Sequence, residues 1–150
     1  MNIIVLDRQP VVAAQYLCDQ HLKDSIAATT TVVSTVCGGS GEHVSLSDPY
    51  VVWTKRNISN FMWMHRFSFA LCEEYRFRFN RPHSFQHVVH AAPIPFGLRG
   101  GKRSEFICNV NPVYRGPETV DGYRNFYVDR CVGNPDAVWT KRQPPHWIHR

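Results

Sequence analysis

The stretch Asn60-Phe61-Met62-Trp63-Met64-His65-Arg66-Phe67-Ser68-Phe69-Ala70-Leu71-Cys72-Glu73-Glu74-Tyr75-Arg76-Phe77-Arg78-Phe79 contains neither glycine nor proline. Its residues Trp63, Phe67, Ala70, Leu71 and Glu74 recur at steps of three and four, the interval of one helical face. Asn60 and Arg78 extend that stripe at its two ends, and Ser59 suits the N-cap position. The stretch is therefore expected to be the longest helix. Polar groups on an apolar face either satisfy one another in the core or line a pocket. Glu74 and Arg78 can pair at i, i+4; alternatively, a buried Glu74 would have a raised pKa suited to acid/base work.

Working outward towards the N-terminus, Asp19 can cap a helix running to about Val36, where Gly38-Gly39 stops it. The β-branched run Thr29-Thr30-Thr31-Val32-Val33 weakens that helix. Pro10 fits a first helical turn, with Val11, Ala14, Leu17 and Cys18 following at helical spacing. Asn2 to Leu6 reads as a short buried strand or extended arm ending at Asp7, and residues 37–51 read as a loop. Towards the C-terminus, Pro82 is expected to start a short helix through about Ala91. Residues 93–117 are rich in proline and glycine and carry the basic patch Arg99, Lys102 and Arg103; so long a loop implies a functional flap or partial disorder. Pro117 opens a last main helix with Val120, Tyr123, Arg124, Tyr127 and Arg130. The tail Gln143-Pro144-Pro145-His146-Trp147 cannot be helical and is expected to pack its tryptophan as a clasp. The chain has 150 residues, 43% of them hydrophobic, enough for one sizeable core. The expected fold is mainly α: one domain over 1–150, a helical bundle with a short N-terminal strand and long loops.

Seventeen Lys and Arg against twelve Asp and Glu leave a net charge of +5, which favours phosphate, anionic lipid or acidic protein as partners. Cysteines 18, 37, 72, 108 and 131 are scattered and form no Cys-x-x-Cys, so they read as free thiols in a reducing compartment. No apolar run is long enough to span a bilayer, and the start lacks the basic region of a signal peptide. The expected location is the cytoplasm, with no membrane partner.

Asp48-Pro49-Tyr50-Val51-Val52-Trp53-Thr54-Lys55-Arg56 recurs as Asn134-Pro135-Asp136-Ala137-Val138-Trp139-Thr140-Lys141-Arg142. Each copy opens with turn chemistry. Trp53 and Trp139 could each stack a base while Lys55, Arg56, Lys141 and Arg142 hold phosphate, or each indole could simply be buried. His83, His87 and His90 would share one face of the short helix, but no carboxylate accompanies them and no metal is expected. In Cys18-Asp19-Gln20-His21 a carboxylate two residues from an imidazole can orient it, or can serve only as a cap.

Several segments resemble a family of small bacteriophage proteins that carry C-D-K-H-V-V-K-M in the first helix and W-T-R further on. They are Leu6-Asp7, Ala13 to His21, Val52-Trp53-Thr54-Lys55, Asn60 to Trp63, Cys72 to Tyr75 with Arg78, and Tyr123 to Tyr127. That resemblance covers most of the chain and implies no particular activity. Leu17 to Leu22 is also similar to the L-A-D-Q-H-L of phage pyrimidine-dimer DNA glycosylases, small basic helical enzymes that use an N-terminal threonine amine and a glutamate. Counted on from Asp19, that glutamate falls on Ala28 and the arginine before it on Ala27, and the chain begins Met1-Asn2. Neither catalytic group stands in its expected place.

The leading expectation is a phage-type protein acting on DNA in the host cytoplasm, with base- or lesion-directed, glycosylase-like chemistry and no cofactor. Asp19, His21 and Glu74 would carry acid/base roles. Asn60, Trp63, Arg78, Tyr123 and Arg124, with the two Trp-Thr-Lys-Arg segments, would bind substrate. The alternatives are an enzyme acting on a free nucleotide or small phosphorylated metabolite, and a non-catalytic module binding nucleic acid or a host protein.

Overall fold

The long apolar stretch forms the central helix of the molecule. In the computed structural model, which describes residues 1–39 and 41–149, the elements are α1 (Pro10–Tyr16), α2 (Asp19–Cys37), α3 (Pro49–Lys55), α4 (Ile58–Phe79), α5 (Gln86–Ala91) and α6 (Thr119–Cys131). Single 3-10 turns lie at Pro112–Tyr114 and His146–His149. The fold is mainly α, as the sequence implies. The cap of α4 is Asn57 rather than Ser59: its side chain accepts the Asn60 N–H at 2.8 Å. Asn80 ends the helix in the left-handed region, φ 57°. Because α1 and α2 both pack along α4, its buried face is broad, running from Asn60 to Arg78.

Helix α2 keeps its regular geometry through the β-branched run. Thr29, Thr31 and Thr35 each return their hydroxyl to a carbonyl one turn earlier, at 2.8, 2.9 and 2.8 Å. Val32 and Val33 are fully enclosed, and that burial outweighs weak propensity. Gly38 then stops the helix at φ 67°.

The expected N-terminal strand is instead an extended arm. Ile3 to Leu6 are buried, yet no strand is present among the described residues. The arm lies against helices and residues 106–109 without a strand ladder, and side chains satisfy part of its backbone. Tyr50 Oη accepts the Ile3 N–H at 3.2 Å, and Arg124 Nε donates to the Leu6 carbonyl at 2.9 Å. Asp48-Pro49, read as a turn, nucleates α3: the Asp48 side chain accepts the Tyr50 N–H at 2.9 Å. Helix α5 begins at Gln86, leaving His83 outside it. The capping box of α6 joins Glu118 and Asp121. Trp147 is buried and meets Tyr16 edge-on at 5.6 Å, so the tail does clasp the core.

Residues 93–117 form a strap held by buried groups. Ser104 donates its N–H to Asn60 Oδ1 at 2.8 Å, and Asn60 Nδ2 returns a bond to Ser104 Oγ at 3.2 Å. The Trp53 indole donates to the Glu105 carbonyl at 2.8 Å, and Phe106 inserts beside Trp53 and Trp63. No helix among the described residues is long and apolar enough to cross a membrane.

Candidate functional site

Arg78 lies at the inner end of the α4 stripe with a side chain wholly withdrawn from solvent. A guanidinium there must find partners for its N–H groups or pay a large desolvation cost. Nε meets Glu74 Oε1 at 2.8 Å; one terminal nitrogen meets Asp19 Oδ1 at 2.9 Å and the Leu17 carbonyl at 2.7 Å; the other meets the Gln15 carbonyl at 3.0 Å. Arg142 adds a bidentate pair to Glu74, at 2.9 and 3.0 Å. Thr140 supplies Asp19 with an N–H at 3.1 Å and a hydroxyl at 2.5 Å.

Burial alone would push the Asp19 carboxyl up, but the hydrogen bonds from Thr140 and Arg78 outweigh it and hold it below its ordinary value. Burial opposes, and the bonds from Arg142 and Arg78 overcome, in the same way at Glu74. The expectation of a raised pKa at Glu74 is therefore reversed: both carboxylates are fixed as anions within a neutral four-residue cluster. This geometry ties the start of α2, the C-terminal turns of α4 and the second Trp-Thr-Lys-Arg segment together.

His21 turns away from this cluster. Its Nδ1 lies 2.7 Å from the hydroxyl of Tyr127 on α6, which also accepts the Cys18 N–H at 3.1 Å. Glu74 and His21 line different cavities, so the three-residue acid/base site expected from the sequence does not assemble. The residue that orients His21 is Tyr127, not Asp19. Its only sequence signal was its place on the apolar face of the last helix.

The His21 cavity has a volume of about 570 Å³ and lies between α2, the N-terminal arm and residues 42–44. Helical spacing puts His21, Asp24, Ala28 and Thr31 on one face of α2. Met1, Asn2 and Ile4 form a second wall, with Glu42, His43, Val44 and Phe126 completing the lining. Ala27 and Ala28, the positions at which the glycosylase resemblance places an arginine and a glutamate, line this same cavity beside Met1.

The other expected binding residues divide by burial. Trp53 is 3% exposed and Trp139 9%, and each indole N–H is spent on a backbone carbonyl, Glu105 and Tyr16 respectively. Neither offers a free face for a base; both are core residues. Trp63 is likewise buried and donates to the Arg8 carbonyl. Asn60 pins the strap, and Tyr123 donates to the Ile107 carbonyl from a fully buried ring. Arg124 binds the Leu6 carbonyl and Asp7. Lys141 caps the end of α4 through the Phe77 carbonyl at 3.0 Å.

Lys55 and Arg56, by contrast, are exposed at the end of α3. The strap brings its own basic patch to them: the Ile58 N–H donates to the Arg99 carbonyl, Ser59 Oγ to the Gly101 carbonyl and Asn57 Nδ2 to the Lys102 carbonyl. Arg103 lies over the Phe106 ring and, with Arg66, lines a concavity of about 370 Å³ beside Ser59 and Met62. Sequence reading named both basic segments but could not see that they meet.

The histidine stripe does not survive as one face. His83 packs edge-on against Tyr75, and His90 stacks on Phe69. Among the described residues no group of His, Cys, Asp and Glu side chains is placed to hold a metal ion. All five cysteines are free thiols. No family model, curated protein or solved structure matches this chain.

Proposed function

We propose that this protein acts on DNA, holding the phosphodiester backbone at the basic end where α3 meets α4. The supporting observation is the convergence of Lys55 and Arg56 with Arg99, Lys102, Arg103 and Arg66, on segments joined by the Ile58 N–H and the side chains of Asn57 and Ser59, all donating to strap carbonyls. Clustered cations beside a concave surface are the electrostatic footprint of a phosphate-binding face. The bacteriophage resemblance, which implies no particular activity, would place that action in the host cytoplasm. Base-directed chemistry of the glycosylase kind has no carboxylate at Ala28 to carry it; His21, Asp24, Glu42 and His43 are the titratable side chains that line the cavity beside Ala28.

Fluorescence anisotropy with duplex and single-stranded oligonucleotides across a salt series tests the reading. Affinity should fall steeply with salt, with a logarithmic slope of about 0.7–0.9 per phosphate contact. Replacing Lys55 and Arg56 together, or Lys102 and Arg103 together, by alanine should lower that slope by about 1–2. Binding that ignores salt, or that both double variants retain in full, would reject the reading.

A further inference from the structure

We propose that the His21 cavity is a binding site for an uncharged nucleobase or nucleoside, with His21 donating a hydrogen bond to the ligand from Nε2 and Tyr127 acting as its positioning residue. The choice of ligand class rests in part on the DNA reading above; the site itself rests on its own geometry.

The tautomer follows from the contact with Tyr127. A separation of 2.7 Å is short for N–H···O and ordinary for a hydroxyl donor. Burial keeps the Tyr127 phenol well above its ordinary pKa, so the hydroxyl retains its proton. Among the described residues its other acceptor is Cys18 Sγ at 3.5 Å, a long contact beside the 2.7 Å one to Nδ1. The phenol therefore donates to Nδ1, and Nε2 carries the imidazole hydrogen on the edge that reaches the cavity. One helical turn on, Asp24 uses Oδ1 to accept from Gln20 Nε2 at 3.1 Å, leaving Oδ2 as an acceptor. A donor and an acceptor on adjacent turns complement a ring edge that carries C=O beside N–H, as thymine, uracil and guanine do.

The remaining lining suits a flat ring and disfavours phosphate. Ile4, Ala28, Val44 and Phe126 supply apolar surface for its faces. The ionisable groups on the lining residues are the Met1 amino group and the side chains of Asp24, Glu42, His21 and His43, so two carboxylates outnumber one ammonium, and no lysine or arginine is among the described lining residues. The nearest cation on a lining ring is Arg130, 5.9 Å from the Phe126 centroid. A phosphate would face two carboxylates, whereas a neutral heterocycle would not be repelled. The volume of about 570 Å³ lies in the range of small-molecule sites.

The test is an NMR titration of the whole chain with thymidine and with thymidine monophosphate, following the His21 imidazole. Thymidine should shift the His21 signals saturably, and the monophosphate should bind no more tightly. Ala28→Phe, which fills the cavity from the α2 face, should weaken thymidine about tenfold or more while the remaining spectrum stays native. Above the titration range of histidine, the nitrogen shifts of free wild-type His21 should report a hydrogen on Nε2, and Tyr127→Phe should mix the two tautomers. A hydrogen on Nδ1 in the wild type, no shift with thymidine, or a shift that survives Ala28→Phe would each overturn the proposal. The lysine and arginine double variants should leave thymidine binding unchanged, so loss of DNA affinity and failure of this site are separately visible.

Discussion

Arg78 is the residue on which the interior depends most, because its charge is buried and its contacts with Gln15, Leu17 and Asp19 tie the junction of α1 and α2 to α4. Removing one partner of a buried ion pair leaves an uncompensated charge, at a cost of about 3–5 kcal/mol. Glu74→Ala should cost about 3 kcal/mol in urea unfolding, since it leaves the buried Arg78 with Asp19 as its one remaining carboxylate partner and frees Arg142; a loss under about 1 kcal/mol would show that water replaces the carboxylate without penalty. Trp53→Ala should act through stability in the same way, by about 3–5 kcal/mol, since the indole fills the junction of α3, α4 and the strap. A variant that stays as stable as the wild type would mean the ring is dispensable to the core. The i, i+4 pairing of Glu74 with Arg78 was legible from spacing alone. Asp19 was expected to share a site with Glu74, but as an acid/base group beside His21; its role as a second carboxylate on Arg78 was not legible, because nothing local links residues so far apart in sequence.

At the scale of elements, the repeated Trp-Thr-Lys-Arg segments show how context decides local structure. The first copy is helical and the second is not, with Lys141 at φ 60°, although five residues are identical. Thr54 returns its hydroxyl to the Tyr50 carbonyl as a helical threonine does, whereas Thr140 spends its hydroxyl on Asp19. Both copies open on an Asx side chain that accepts the N–H two residues on, as their turn chemistry implies, and both bury the indole, which was one of the two alternatives the sequence offered. Helices α2 and α4 were readable because stops and periodicity agree, although the caps fall at Cys18 and Asn57 and not at Asp19 and Ser59. The arm at Ile3 to Leu6 was misread as a strand because an apolar run gives burial but not the identity of its neighbour. The strap was expected to be loose, yet Asn60 pins it from inside the core. Asn60→Ala should leave the Ser104 N–H unpaired, cost about 1–3 kcal/mol and speed hydrogen exchange around Ser104 and Phe106. Exchange that remains as slow as in the wild type would place the hold on the strap elsewhere, at Trp53 or Phe106.

Across the whole molecule, charge is used in two distinct ways: cations gathered in solvent at the α3–α4 junction, and cations neutralised inside around Asp19 and Glu74. The two respond differently to the medium. Exposed charges are screened by salt, while the enclosed cluster is screened far less. Salt should therefore weaken oligonucleotide binding and leave unfolding free energy nearly constant. Acid should act on the interior. Asp19 and Glu74 both have folded-state pKa values below their ordinary 3.8 and 4.5, so the unfolded chain takes up their protons more readily than the folded one. Their stabilisation is thus complete at neutral pH, begins to fade as pH falls into the ordinary carboxylate range and is lost as pH drops through the lowered folded values. Glu74→Gln removes one of the two titrations while keeping the side-chain shape. Urea unfolding measured from pH 7 down to about pH 3 should show the wild type losing its advantage over Glu74→Gln as acid protonates Glu74. Parallel profiles over that range would mean that Glu74 takes up its proton equally in both states, and that its contacts with Arg78 and Arg142 do not favour the anion.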